Sequence, residues 1–63
     1  MKARQVEVYS ENGDLEKIEI TLETGVHLFD ALWDPTDEQN EENRKAFREW
    51  AKRLTAQHGH ELT

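Results

Sequence analysis

The sequence predicts an α+β fold: a two-stranded antiparallel β-hairpin followed by one short and one long α-helix (ββαα). Three observations predict it. Apolar and polar residues alternate in two early segments, and a turn signal at Asn12-Gly13 separates them. An apolar stripe at helical spacing, with end signals on both sides, occupies the C-terminal part of the chain. On this reading residues 1–63 form a single small domain, with the hairpin over 4–22, the short helix over 26–33, the long helix over 35–58 and a frayed tail over 59–63.

The first strand is read from Val6 and Val8, which alternate with Gln5, Glu7 and Tyr9. The second is read from Ile18, Ile20 and Leu22, alternating with Lys17, Glu19 and Thr21. A two-residue Asn12-Gly13 turn would pair residues whose numbers sum to 25, placing Val6 and Val8 opposite Glu19 and Lys17 and splitting the apolar residues between the faces. The expectation is therefore a three-residue loop, Glu11-Asn12-Gly13, with Gly13 left-handed. Its sum of 24 sets Val6 against Ile18, Arg4 against Ile20 and Glu7 against Lys17.

After Thr24-Gly25, the apolar residues Val26, Phe29, Leu32 and Trp33 follow helical spacing and predict the short helix. Val26, Leu28 and Leu32 also share parity, so a third strand is the alternative. Asp34-Pro35 closes this segment and opens the long helix, since aspartate suits an N-cap and proline the first helical position. Thr36 with Gln39 is a competing capping box. In the long helix Phe47, Trp50, Ala51 and Leu54 form one stripe, continued toward the N-terminus by the uncharged Asn43, Asn40 and Thr36. His58-Gly59 supplies the stop. Acids crowd its first turns and Arg44, Lys45, Arg48, Lys52 and Arg53 its later ones, as the helix dipole favours.

The hairpin with a bulged turn, followed by Gly25, Leu28, Asp30, Ala31 and Leu32, resembles the opening of a β-grasp domain of the ubiquitin-like or ferredoxin-like kind. The resemblance covers residues 4–33 and implies a helix after Gly25. Residues 36–63 supply no counterpart to the later strands of that fold, there is no C-terminal diglycine, and there is no cysteine for a cluster, so no function is carried across.

The chain's 63 residues carry a formal charge of −6 and no cysteine, which excludes disulfides and thiolate metal sites and fits a reducing compartment. The charge is bipolar. Residues 5–42 hold twelve acids against Lys17 alone, whereas residues 43–56 hold five bases against Glu49. Net acidity disfavours direct nucleic-acid binding. No secretory signal pattern is seen at Met1-Lys2-Ala3-Arg4, and the apolar run Val26 to Trp33 is too short to span a bilayer, so a cytoplasmic location is expected.

Chemical motifs are sparse. His58, Gly59, His60 and Glu61 could offer metal donors but read as a solvated terminus. His27 and Asp30 could pair as acid and base, yet the sole serine, Ser10, lies beside the hairpin turn, so neither enzyme nor cofactor is expected. The expected function is a small acidic, non-enzymatic protein–protein interaction module, an accessory or inhibitory protein acting on a larger partner. Its binding surface is expected at Asp37, Glu38, Asn40, Glu41, Glu42 and Asn43, which have no evident role inside a monomer. A homodimer with antiparallel long helices would match Glu38, Glu41 and Glu42 to Lys45, Arg48 and Lys52. One alternative is a nucleic-acid mimic that occupies the basic groove of a DNA- or RNA-binding protein. Another is weak nucleic-acid binding through the strip Arg44, Arg48 and Lys52.

Overall fold

The structure, a computed structural model, describes the backbone of residues 2–62 and the side chains of residues 2–60. The strands are β1 (Lys2–Tyr9), β2 (Leu15–Leu22) and β3 (His27–Leu32), followed by a single helix α1 (Glu41–Gln57) and a two-residue strand β4 (Glu61–Leu62). β1, β2 and β3 form an antiparallel meander, β4 adds in parallel to the start of β1, and the order across the sheet is β3-β2-β1-β4. The helix covers one face of this sheet and the other face is open.

This arrangement overturns the ββαα expectation. Residues 26–33 do not form a short helix: His27–Leu32 is the third strand of the sheet. The resemblance to the opening of a β-grasp domain ends with it, because that resemblance required a helix after Gly25. The reason lies in the turn chemistry. In the first hairpin the Ser10 N–H donates to the Asp14 carbonyl and the Gly13 N–H to the Ser10 carbonyl. In the second, the Leu22 N–H donates to the Val26 carbonyl and the Gly25 N–H to the Leu22 carbonyl. Glu11-Asn12-Gly13 and Glu23-Thr24-Gly25 are therefore the same three-residue loop used twice, each ending on a left-handed glycine (φ 84° and 96°). A tight antiparallel turn returns the chain beside β2, where pairing outweighs the local helical pattern.

The same symmetry settles the register. Beside the first turn Tyr9 faces Leu15, as a three-residue loop requires, but beyond it Val8 faces Lys17, Val6 faces Glu19 and Arg4 faces Thr21. Glu16 is an extra residue, a β-bulge. It shifts the pairing by one, so the predicted pairs Val6–Ile18, Arg4–Ile20 and Glu7–Lys17 do not form. The shift lets Leu15, of odd number, share the buried face with Ile18, Ile20 and Leu22, of even number. Its consequence is that Val6, 43% exposed, lies on the open face. Leu28 is the matching extra residue of the second hairpin, between His27 opposite Thr21 and Phe29 opposite Ile20.

The long helix begins later than residue 35. Asp34 caps a turn instead, its Oδ1 accepting from the Thr36 N–H (2.9 Å) and hydroxyl (2.7 Å) while the Asp37 N–H donates to the Asp34 carbonyl. The connection must leave an edge strand and climb onto the sheet before a helix can lie across it. Gln39 fixes that path: its side chain accepts from the Leu15 N–H (3.0 Å) and donates to the Leu15 carbonyl (2.9 Å). Asn40 is then the N-cap, its side chain accepting from the Asn43 N–H at 2.8 Å. At the other end His58 is the C-cap, as expected. The Gly59 N–H donates to the Ala56 carbonyl and the His60 N–H to the Thr55 carbonyl, the paired bonds of a Schellman stop with Gly59 at φ 81°. The chain then enters β4, so residues 61 and 62 pair with Lys2 and Ala3 rather than fraying. Thr63 lies outside the described residues.

The core is Ala3, Leu15, Ile18, Ile20, Ala31, Phe47 and Ala51, with Leu28, Phe29 and Trp33 packed against it. The helix buries Phe47, Ala51 and Thr55, spaced by four. Thr55 is tolerated there because its hydroxyl donates to the Ala51 carbonyl at 2.8 Å. Trp50 is displaced to the edge of that face and remains 41% exposed.

Candidate functional site

The sequence of β3 places Phe29, Ala31 and Trp33 on the helix side and Asp30 and Leu32 on the open side. Where β3 ends, Trp33 turns under the helix and meets Phe47 edge-on, ring centroids 5.1 Å apart. Phe47 in turn lies 5.9 Å from Trp50. These rings and Leu32 line a groove of about 350 Å³ between the end of β3 and the helix. Asp34, Asp37, Asn43 and Arg53 border it. Leu32 is 66% exposed, the most exposed large apolar side chain among the described residues. The groove is mainly apolar with polar groups at its margin, a composition suited to an apolar side chain presented by another molecule.

The residues predicted to bind a partner are spread over loop and helix start, and several have intrachain roles. Asn40 caps the helix, Asn43 donates to the Glu38 carbonyl at 2.8 Å, and Asn40 also donates to the Glu38 carboxylate at 3.3 Å. Glu41 pairs with Arg44 at 3.4 Å, while Glu42 is exposed in the first helical turn. Only Asp37 and Asn43 of that set border the groove. Sequence reasoning expects Trp33, Phe47 and Trp50 in the core, because a stripe of large apolar side chains is normally core. Trp33 does pack against it, half-buried, whereas Trp50 is exposed, and Leu32 is not singled out by the sequence as a surface residue.

The basic strip is divided in the same way. Arg44 donates to Gln39 at 3.3 Å. Arg48 grips Glu7 of β1 with two parallel bonds of 3.1 Å each, and the Tyr9 hydroxyl donates to the same carboxylate. The Arg48 and Tyr9 hydrogen bonds hold the Glu7 carboxyl below its ordinary pKa. Lys52 is exposed on the helix. With two guanidinium groups engaged inside the chain, the strip is not a row of cations free to meet phosphates.

On the open face the bulge at Leu28 brings His27 and Asp30 to one side, Nε2 to Oδ1 at 2.8 Å, beside Glu19. These three could in principle hold a metal ion, their donor atoms lying within 4.8 Å of one another. The Lys17 ammonium already sits 3.5 Å from Glu19 and 3.9 Å from Asp30, so a cation of the chain itself stands beside both carboxylates and the arrangement reads as a surface ion-pair network. Ser10 lies at the opposite end of β2 from His27, with its Oγ accepting from the Asp14 N–H. In the tail, the His58 ring stacks obliquely on Phe29 with centroids 5.1 Å apart, and the buried Nδ1 of His60 has no hydrogen-bond partner among the described residues.

Protein-family models, curated proteins and solved structures give no match to this chain. Among the described residues, no helix is long and apolar enough to cross a membrane.

Proposed function

We propose that this chain is a small, non-enzymatic protein–protein interaction module, an accessory or inhibitory protein acting in the cytoplasm on a larger partner. The observation that carries the reading is the groove where Leu32, Trp33 and Trp50 stand beside an edge strand, with acids and one arginine at its rim. Exposed aromatic anchors in a concave apolar patch are the usual centre of a binding surface, and the flanking charges select the partner. Affinity capture from lysate, with the wild type and with Trp50→Ala compared at low and high salt, tests it. A partner recovered by the wild type and lost with the variant is the expected result. Equal recovery by both moves the binding surface elsewhere.

A second reading, nucleic-acid mimicry, draws on one juxtaposition. The Gln39–Leu15 bridge brings the first hairpin turn against the loop before the helix, so Asp14, Glu16 and Asp37 border one depression. Salt-sensitive competition with DNA for a basic protein would support that reading over the groove; no competition at low salt would remove it.

A further inference from the structure

The occupant of this region follows from the edge of β3. Among the described residues, β3 has a neighbour on one side only. The Trp33 N–H donates to the Glu16 carbonyl of β2 at 2.9 Å, so in a regular strand the amides of Phe29 and Ala31 also turn toward β2. Those of Asp30 and Leu32 turn away from the sheet. Edge strands that must stay single carry lysine, proline or a bulge along their length. β3 has the sequence His-Leu-Phe-Asp-Ala-Leu, with one charged residue, no proline, and its bulge confined to its beginning at Leu28.

We propose that a second copy of this chain pairs with β3 in antiparallel register about a two-fold axis through Ala31. This deepens the interaction-module reading by naming the occupant, and it rests on that reading. The register is chosen by charge and shape. A two-fold at Asp30 would set two aspartates against each other, and one at Leu32 would set Asp30 against the partner copy's Asp34. A two-fold at Phe29 would run the pairing through the Leu28 bulge. Centred on Ala31, Asp30 faces the partner copy's Leu32 with their outward amides hydrogen-bonded, and Phe29 faces its Trp33. The small Ala31 residues meet at the axis. No like charges are opposed.

The pairing continues the sheet across the axis, with both helices on one side and antiparallel. The acidic start of each helix then points the same way as the basic later half of its neighbour, a complementarity that a symmetric contact uses twice. Leu32 and the open side of the groove are covered by the same contact. This dimer is joined by strands, unlike the helix-to-helix pairing suggested by charge alone.

Sedimentation velocity over micromolar to millimolar concentrations, with amide hydrogen exchange at both ends of the range, decides it. The wild type should move from a 7.4 kDa species toward twice that mass. The amides of Asp30 and Leu32 should gain protection as it does so. Leu32→Glu, at a side chain already 66% exposed and across from Lys17 within the chain, should keep the far-ultraviolet dichroism of the wild type. It sets a second acid against the partner copy's Asp30 and should weaken association at least about tenfold. A chain that stays monomeric throughout overturns the pairing, as does a dimer with unprotected Asp30 and Leu32 amides or one unaffected by Leu32→Glu. A monomer that still captures a protein in a Trp50-dependent way overturns self-pairing alone. A β3-paired dimer whose captured proteins do not depend on Trp50 leaves self-pairing in place and removes the wider module reading.

Discussion

The β1 and β3 edges of this sheet face the same hazard and are built differently. At the β1 edge the chain returns after the helix and lays β4 alongside Lys2 and Ala3. Further along, Arg48 reaches down from the helix to hold Glu7, and Tyr9 joins them. Strand and charge together make β1 a poor template for another chain. Among the described residues the β3 edge has no added strand, and its bulge at Leu28 is confined to its beginning. Its outward backbone groups lie between the exposed Leu32 and a groove lined by tryptophan. The difference teaches that this fold guards one edge with its own C-terminal segment and presents the other.

The largest expected effect breaks the comparison by disturbing β3 from its inner side. Ala31→Pro removes a ladder bond to β2 at a fully buried position and should cost about 3 kcal/mol or more, read as a drop in urea midpoint or outright loss of fold. Asp30→Pro removes an outward amide together with the partly exposed contacts of Asp30 to His27 and Lys17, and should cost less, about 1 kcal/mol. Similar losses for the two would show that the β3 edge is not free.

Smaller effects come from the repeated turns. Gly13→Ala and Gly25→Ala each place a Cβ in open space, so only the positive φ resists it, and each should cost roughly 1–2 kcal/mol. Nearly equal losses would confirm that the two hairpins share one construction; a harmless Gly25→Ala would break that equivalence.

The guarded edge offers a pH test. Glu7 has a lowered pKa in the fold because Arg48, then Tyr9, bonds the carboxylate form. Its contribution is present above the ordinary glutamate value of about 4.3 and is lost as pH falls through the folded value. Glu7→Gln should cost on the order of 1 kcal/mol at neutral pH, with the pair partly exposed and screened, and the wild type and variant should converge in acid. A gap that persists in acid would mean the contact works through packing. The smallest effect is at the presented edge: Leu32→Glu, measured at a concentration where the chain is monomeric, should change stability by under about 0.5 kcal/mol, because most of the side chain is already in water.

Several features were legible in the residues themselves. Alternation marked β1 and β2, Glu11-Asn12-Gly13 marked a three-residue turn, and His58-Gly59 marked the helix stop. The repeat of that turn at Glu23-Thr24-Gly25 was a readable signal for a third strand, obscured because Val26, Phe29, Leu32 and Trp33 also fit a helix. Of the expected binding residues, Asp37 and Asn43 border the groove; Trp33 and Trp50 read as core, an exposed one being the candidate anchor, and Leu32 is not singled out as a surface residue.

By itself, then, the sequence determined the local grammar: which segments extend, where glycine reverses the chain, and where the helix ends, all set by interactions within a few residues. Only the tertiary structure decided that the 26–33 segment is a strand, that the helix waits until Asn40, and that Trp50 stands beside the core rather than in it. Those outcomes depend on what lies across from each residue. Two bulges shift the pairing by one and exchange faces, and Gln39 ties to Leu15 far away in the chain, distances over which no local pattern carries information.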